Sequence, residues 1–159
     1  MKIALGCDHR GAEAVTALSE HLQASGHEPA LLGQNEAGPC DYPDSAYLVA
    51  TAVRTGQADC GILVCGSGVG MSMSANKVPG IRAALAYDEF VAEISRRHND
   101  ANVLCMSGDL CTVDQICAIT DAFLSGAFEG GRHERRVKKM SAIERGEDPS
   151  SVNIETAPA

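Results

Sequence analysis

Residues 60–77, CGILVCGSGVGMSMSANK, join an uninterrupted apolar run to three glycines at alternate positions and then to a serine-rich stretch ending in Asn-Lys. The run CGILV at 60–64 is too short for a stable helix and reads as a strand. Gly66, Gly68 and Gly70 permit a tight turn, and a helix is expected to begin near Met71. Strand, turn and helix in that succession make part of a βαβ unit, so the fold depends on whether the pattern recurs on either side.

Recurrence is found in both directions. Upstream, Lys2 to Gly6 is a short apolar strand, and Ala12, Val15, Leu18 and Leu22 lie on one face of a helix that Gly26 ends. Glu28 to Gly33 reads as a second strand, the Gly/Asn/Pro stretch GQNEAGPCDYPD as a loop, and Pro43 to Thr55 as a helix. Downstream come a strand at Ile81 to Ala86, a helix over Glu89 to Arg97, a strand at Asn102 to Met106 and a helix over Val113 to Leu124. The expected fold class is therefore α/β: a three-layer α/β/α, Rossmann-like (flavodoxin-like) fold with a five-stranded parallel sheet. Gly130 and Gly131 precede an extra basic C-terminal helix in RHERRVKKMSAIERG, residues 132–146. Residues 1–147 are expected to form a single domain, and 148–159 a polar, flexible tail. In such sheets ligands sit beyond the carboxyl ends of the strands where the order reverses, and adjacency of strands one and three would face Asp8 and His9 toward Cys65 and Gly66.

At 159 residues the chain is long enough to bury about 68–70% of its unfolded surface in one unit. Thirteen basic against twenty-one acidic residues leave a formal charge of −8, which opposes the phosphate neutralisation that nucleic-acid binding depends on, so no nucleic-acid partner is expected. Apolar runs fall far short of the ~20 residues that cross a bilayer, and no membrane association is expected. The apolar stretch of MKIALGCDHR meets Asp8 too early for a signal peptide, so a cytoplasmic protein is expected. Seven cysteines without a CxxC pair read as free thiols and offer no zinc site.

Three glycines bring successive N–H groups toward a negative ligand, and a following helix adds its positive end, which makes an anion cradle; a tight turn that binds nothing has the same sequence. Known loops are rejected one by one. A P-loop needs Gly-Lys-Ser/Thr where Gly70-Met71-Ser72 stands, a dinucleotide fingerprint needs its third glycine at Met71, and a nucleophile elbow around Ser67 needs glycines where Cys65 and Val69 stand. There remains a thiol beside a row of backbone donors. A helix N-terminus lowers a thiol pKa, which would suit Cys65 to act as a base, whereas Cys60, Cys105 and Cys117 read as packing residues.

CDHRG at 7–11, DYPD at 41–44, CGSGVGMSMSANKVPGIRAAL at 65–85, RHNDANVL at 97–104 and FEGGRHERRV at 128–137 together resemble the ribose-5-phosphate isomerase B family, over nearly the whole chain. The resemblance implies aldose–ketose interconversion of ribose 5-phosphate and ribulose 5-phosphate, a step of the pentose phosphate pathway, through a cis-enediolate. It implies neither a metal nor an organic cofactor. Such chemistry needs a base at a carbon acid, donors for the enediolate oxygen and cations for the phosphate.

Residue by residue, the resemblance implies Cys65 as the base, Gly66, Gly68, Val69 and Gly70 as oxyanion donors, and Ser67 as the hydroxyl that shuttles oxygen protons. It implies His98 as the ring-opening acid with help from Asp8, Asn99 as a sugar or intermediate ligand, Tyr42 as a pocket wall, and His9, Arg132 and Arg136 as phosphate anchors. It also implies a homodimer or homotetramer with active sites shared between chains. One position departs: the family often has an arginine in a Gly-x-Arg context after the fifth strand, and this chain has Asp109, which caps the next helix or pairs with an arginine. Isomerisation of allose 6-phosphate, galactose 6-phosphate or a tetrose 4-phosphate is the neighbouring expectation. A non-catalytic flavin or nucleotide module is disfavoured by 4% aromatic content and no tryptophan.

Overall fold

The middle strand, β3 (Cys60–Cys65), is buried at all six positions, as a strand covered on both faces must be. Its side chains divide by parity: Cys60, Ile62 and Val64 enter one apolar cluster, while Leu63 and Cys65 enter the other. The same division runs through β1 (Lys2–Cys7) and β5 (Val103–Ser107), where Ile3, Leu5, Leu104 and Met106 oppose Ala4, Val103 and Cys105. Two short edge strands, β2 (Glu28–Leu31) and β4 (Ala83–Leu85), complete a five-stranded sheet in which every neighbouring pair of strands is parallel. The computed structural model describes residues 1–33 and 40–152. Part of the expected loop (34–39) and the end of the expected tail (153–159) lie outside the described residues.

One face is covered by α1 (Ala12–Ala24), α4 (Glu89–Asn99) and α5 (Val113–Ser125), through Val15, Leu18, Leu22, Ala92, Ile116, Ile119 and Phe123. The other is covered by α2 (Tyr42–Arg54) and α3 (Val69–Ala75), through Ala46, Val49, Ala50, Met71 and Ala75. Each Leu, Ile or Phe withdrawn fully from water contributes ~1.5–3 kcal/mol, so these two clusters dominate stability. Helix starts follow their sequence signals. Asp88 accepts the Val91 N–H at 2.8 Å, and Thr112 and Gln115 form a reciprocal capping box. The expected extra helix, α6 (Arg132–Glu144), is polar, buries only His133 and Ala142, and packs against α4. Beyond it, a single 3₁₀ turn at Pro149–Ser151 accepts a hydrogen bond from Lys139 Nζ at 2.9 Å.

The strand order is β2-β1-β3-β5-β4. β1 and β3 are neighbours, which meets the condition for Asp8 and His9 to face Cys65 and Gly66, and the order reverses between them. The last two strands are exchanged relative to the flavodoxin order 2-1-3-4-5: β5 lies beside β3 and β4 takes the edge. That exchange sets Cys65 opposite Ser107, so the turn after β5 borders the glycine turn after β3.

Candidate active site

The carboxyl end of β1 turns into α1 through Asp8, His9, Arg10 and Gly11, and the buried Asp8 carboxylate builds that turn. Its Oδ1 accepts the Arg10 N–H at 2.9 Å and the Gly11 N–H at 3.2 Å. The Asp8 N–H reaches across to the Val64 carbonyl at 3.3 Å, which ties the turn to β3. Oδ2 accepts no hydrogen bond among the described residues.

After β3, the buried Cys65 Sγ accepts the Gly68 N–H at 3.1 Å. Gly68 takes φ 77°, which is left-handed, and a β-carbon there would stand 2.5 Å from Leu85 Cδ1 and 2.9 Å from the Met106 backbone. Glycine is therefore required twice over, by conformation and by space. Because Gly68 serves as the N-cap, α3 starts at Val69, two residues before the expected Met71. The exposed Ser67 Oγ accepts the Val69 N–H at 3.3 Å, and Tyr87 Oη donates to the Ser67 carbonyl at 3.0 Å. The N–H groups of Gly66, Ser67 and Gly70 have no acceptor among the described residues, and they supply free donors next to the sulfur.

Two walls flank this loop. A β-carbon on Gly70 would fall 2.6 Å from Cε2 and Cζ of Tyr42, so the tyrosine ring lies on the glycine turn. On the other side Asp109 pairs with Arg10, with Arg10 Nε 2.8 Å and 2.9 Å from the two carboxylate oxygens and Nη2 2.7 Å from Oδ1. Of the two roles expected for Asp109, capping of α5 belongs instead to Thr112, and the arginine partner is Arg10. His9 stands exposed between Asp8 and Arg10.

His98, Asn99, Arg132 and Arg136 form a second group, at the end of α4 and the start of α6. The His98 and His133 rings stack with centroids 4.1 Å apart and planes 7° from parallel. Glu129 Oε2 lies 3.6 Å from His98 Nε2 and 3.7 Å from His133 Nε2. Arg97 Nε donates to the other Glu129 oxygen at 2.7 Å and holds that carboxyl below its ordinary pKa. Burial pushes the His133 imidazole pKa down, and His98 and Arg132 push it further. The ligand atoms of His98, Glu129 and His133 lie within 4.8 Å of one another. Arg97 already engages Glu129, and Arg132 Nε donates to His133 Nε2 at 3.4 Å.

These two groups lie at opposite ends of the sheet. In a parallel βα unit the helix runs back, so α4 ends beside the amino ends of the strands. Arg82, just before β4, donates to the Asn99 and Asp100 carbonyls at 3.1 and 2.8 Å. Val103, at the start of β5, is level with Gly61, and Cys65 lies four residues further along β3, or about 13 Å. One chain brings Asp8, Tyr42, Cys65, Ser67 and the glycine donors together; it does not bring His98, Asn99, Arg132 or Arg136 to them. Sequence reasoning offered an arginine partner for Asp109 without naming Arg10, and it missed Glu129 and the stacking role of His133. For Glu129 and His133, their place inside FEGGRHERRV was the available signal.

A buried thiol beside backbone donors stands at the carboxyl edge of a doubly covered parallel sheet, the edge at which α/β enzymes bind their ligands. The chain matches the family described as Ribose/Galactose Isomerase across residues 3–140, and it belongs to that family. It is 43% identical over 144 residues to ribose-5-phosphate isomerase B of Escherichia coli strain K12, covering 91% of this chain and 97% of the relative. It is 39% identical over 149 residues to the Mycobacterium tuberculosis protein of the same name, covering 91% of each. Among solved structures, ribose-5-phosphate isomerase B of Clostridium thermocellum superimposes with a TM-score of 0.90 at 42% identity, covering 92% of this chain and 99% of that one. The Mycoplasma genitalium enzyme with bound ribulose 5-phosphate gives 0.86 at 43% identity, with 91% and 96% covered.

Proposed function

We propose that this protein interconverts ribose 5-phosphate and ribulose 5-phosphate, with Cys65 as the base and with each active site completed by a second copy of the chain. The supporting observation is the Gly68 N–H donated to Cys65 Sγ at 3.1 Å beside free N–H groups of Gly66, Ser67 and Gly70. His98, assisted by Oδ2 of Asp8, passes protons to and from the ring oxygen so that the furanose opens. The Cys65 thiolate then takes the C2 proton, the C–H electron pair becomes the C1–C2 double bond, and negative charge moves to O1. The loop amides hold that oxygen. Ser67 relays the O2 proton to O1, and the Cys65 thiol returns its proton to C1, leaving the ketose and a regenerated thiolate.

Tyr42 walls the sugar, Asn99 binds its oxygens, and His9, Arg132 and Arg136 hold the phosphate. The separation of the two residue groups along the sheet supports a shared site, since a five-carbon sugar phosphate is too short to bridge it within one chain. No helix among the described residues is long and apolar enough to cross a membrane, which fits the cytoplasmic placement we propose. Turnover in deuterium oxide tests the mechanism: solvent deuterium should enter the recovered sugar at carbon, and Cys65→Ala should lower kcat by about 10²–10⁴ with little change in KM, while Arg136→Ala should mainly raise KM. Recovered sugar without deuterium would defeat the enediolate route. A second reading, another aldose phosphate as preferred substrate, rests on Asp109, and comparative kcat/KM across phosphorylated aldoses decides between them.

A further inference from the structure

We propose that Arg10 binds the substrate's phosphate and that Asp109 presents it across the glycine loop. This deepens the isomerase reading and rests on it for the identity of the sugar, though not for the anion. The position carries the argument first. A β-carbon on Gly66 would meet Arg10 Cδ at 3.0 Å, Arg10 Nε at 3.2 Å and Asp109 Oδ2 at 3.1 Å, so the ion pair lies directly over the loop that begins at Cys65.

Both ends of that pair are anchored in the backbone. The Arg10 N–H is held by Asp8 Oδ1 at 2.9 Å, and a β-carbon on Gly108 would touch the Arg10 carbonyl at 2.9 Å. The Asp109 N–H donates to the Gly66 carbonyl at 3.1 Å and to Ser107 Oγ at 3.2 Å. A long arginine side chain loses much rotamer freedom when it grips an anion, and a carboxylate that fixes it beforehand removes part of that cost.

The guanidinium is only partly used. Of its five N–H donors, Asp109 engages Nε and Nη2, and Nη1 has no acceptor among the described residues. The side chain is 55% exposed. Charge at this edge of the sheet supports the same role: Asp8 and Asp109 are both carboxylates, and no other Lys or Arg stands in the described turns that follow the five strands. The phosphate on C5 of a sugar whose C2 faces Cys65 meets Arg10 as the permanent cation of this half of the site.

The test measures inorganic phosphate binding by calorimetry alongside steady-state kinetics, using the full chain in its native assembly. Arg10→Gln should weaken phosphate binding and raise the KM for ribose 5-phosphate by about tenfold or more, with kcat within about threefold, and Arg10→Lys should recover part of the loss. An exposed ion pair adds little to stability, so these variants should keep the wild-type melting temperature. Unchanged phosphate affinity in Arg10→Gln would overturn the proposal, as would a fall in kcat at constant KM. Tighter phosphate binding by Asp109→Asn would show that the carboxylate competes with the anion, and would overturn its presenting role. If the wild-type protein bound phosphate through Arg10 yet failed to isomerise ribose 5-phosphate, the activity reading would fall and the anion site would stand.

Discussion

His98 and His133 lie ring on ring, 4.1 Å between centroids, with one Glu129 oxygen within 3.7 Å of both. Burial and neighbouring positive charge lower the His133 pKa, so the unfolded chain takes up that proton first as pH falls. Stability should therefore decline from about pH 6.5 downward. Glu129, whose pKa Arg97 depresses, stabilises the fold until pH falls through its own lowered value, below the ordinary 4.5, so the two windows are separate. Melting temperatures between pH 5 and 7.5 should show the decline, and His133→Asn should flatten it. Identical slopes would refute the assignment.

In the shared site we propose, Cys65 at the carboxyl edge of one chain works with His98 at the amino edge of another. Cys65→Ala and His98→Ala should each be nearly inactive alone. Mixed and allowed to exchange subunits, they should recover about a quarter of the wild-type sites, because a mixed pair holds one intact and one doubly impaired site. Absence of any recovery, with exchange confirmed by mass spectrometry, would place the whole site in one chain.

Burial pushes the thiols of Cys7 and Cys60 up to about 11, and that of Cys105 higher still. At pH 8 about one in a thousand of the first two is ionised, and the thiolate is the reactive form. Brief treatment of the native protein with iodoacetamide should leave all three unmodified, and urea should expose them. Peptide mapping that found Cys105 alkylated without denaturant would contradict the packing described.

Gly68 and Gly130 both adopt positive φ, 77° and 66°, but a β-carbon on Gly130 meets nothing within 4 Å. Gly130→Ala should cost about 1–2 kcal/mol, the left-handed penalty alone. Gly68→Ala adds a clash with Leu85 and the Met106 backbone, so it should cost more and also disturb the N–H held by Cys65. Equal losses in chemical denaturation would show that the loop shifts to admit the methyl group.

Much of the fold was legible because apolar runs and glycine breaks recur along the chain. Each expected strand appears within two residues of its expected ends, and Pro43 and Thr112 mark helix starts at the level of chemistry. Nothing local distinguishes β5 beside β3 from β4 beside β3, since both are short apolar strands. The onset of α3 was misplaced because Gly68 caps it in a left-handed conformation, which composition alone does not reveal. Tyr42, Cys65 and Gly70 were legible as a group from their motifs. That the arginine pairing with Asp109 would be Arg10 was not, because the two stand on different strand ends whose adjacency exists only once β1, β3 and β5 are side by side.

Thiol and imidazole occupy the two rims of a sheet that is six residues deep at β3. If the site is shared as we propose, a solitary polypeptide carries both halves of the tool with neither half able to close on the other. Under dilution past the association equilibrium, turnover should fall with the square of protein concentration rather than in proportion to it, and saturating sugar phosphate should restore linearity by holding the chains together.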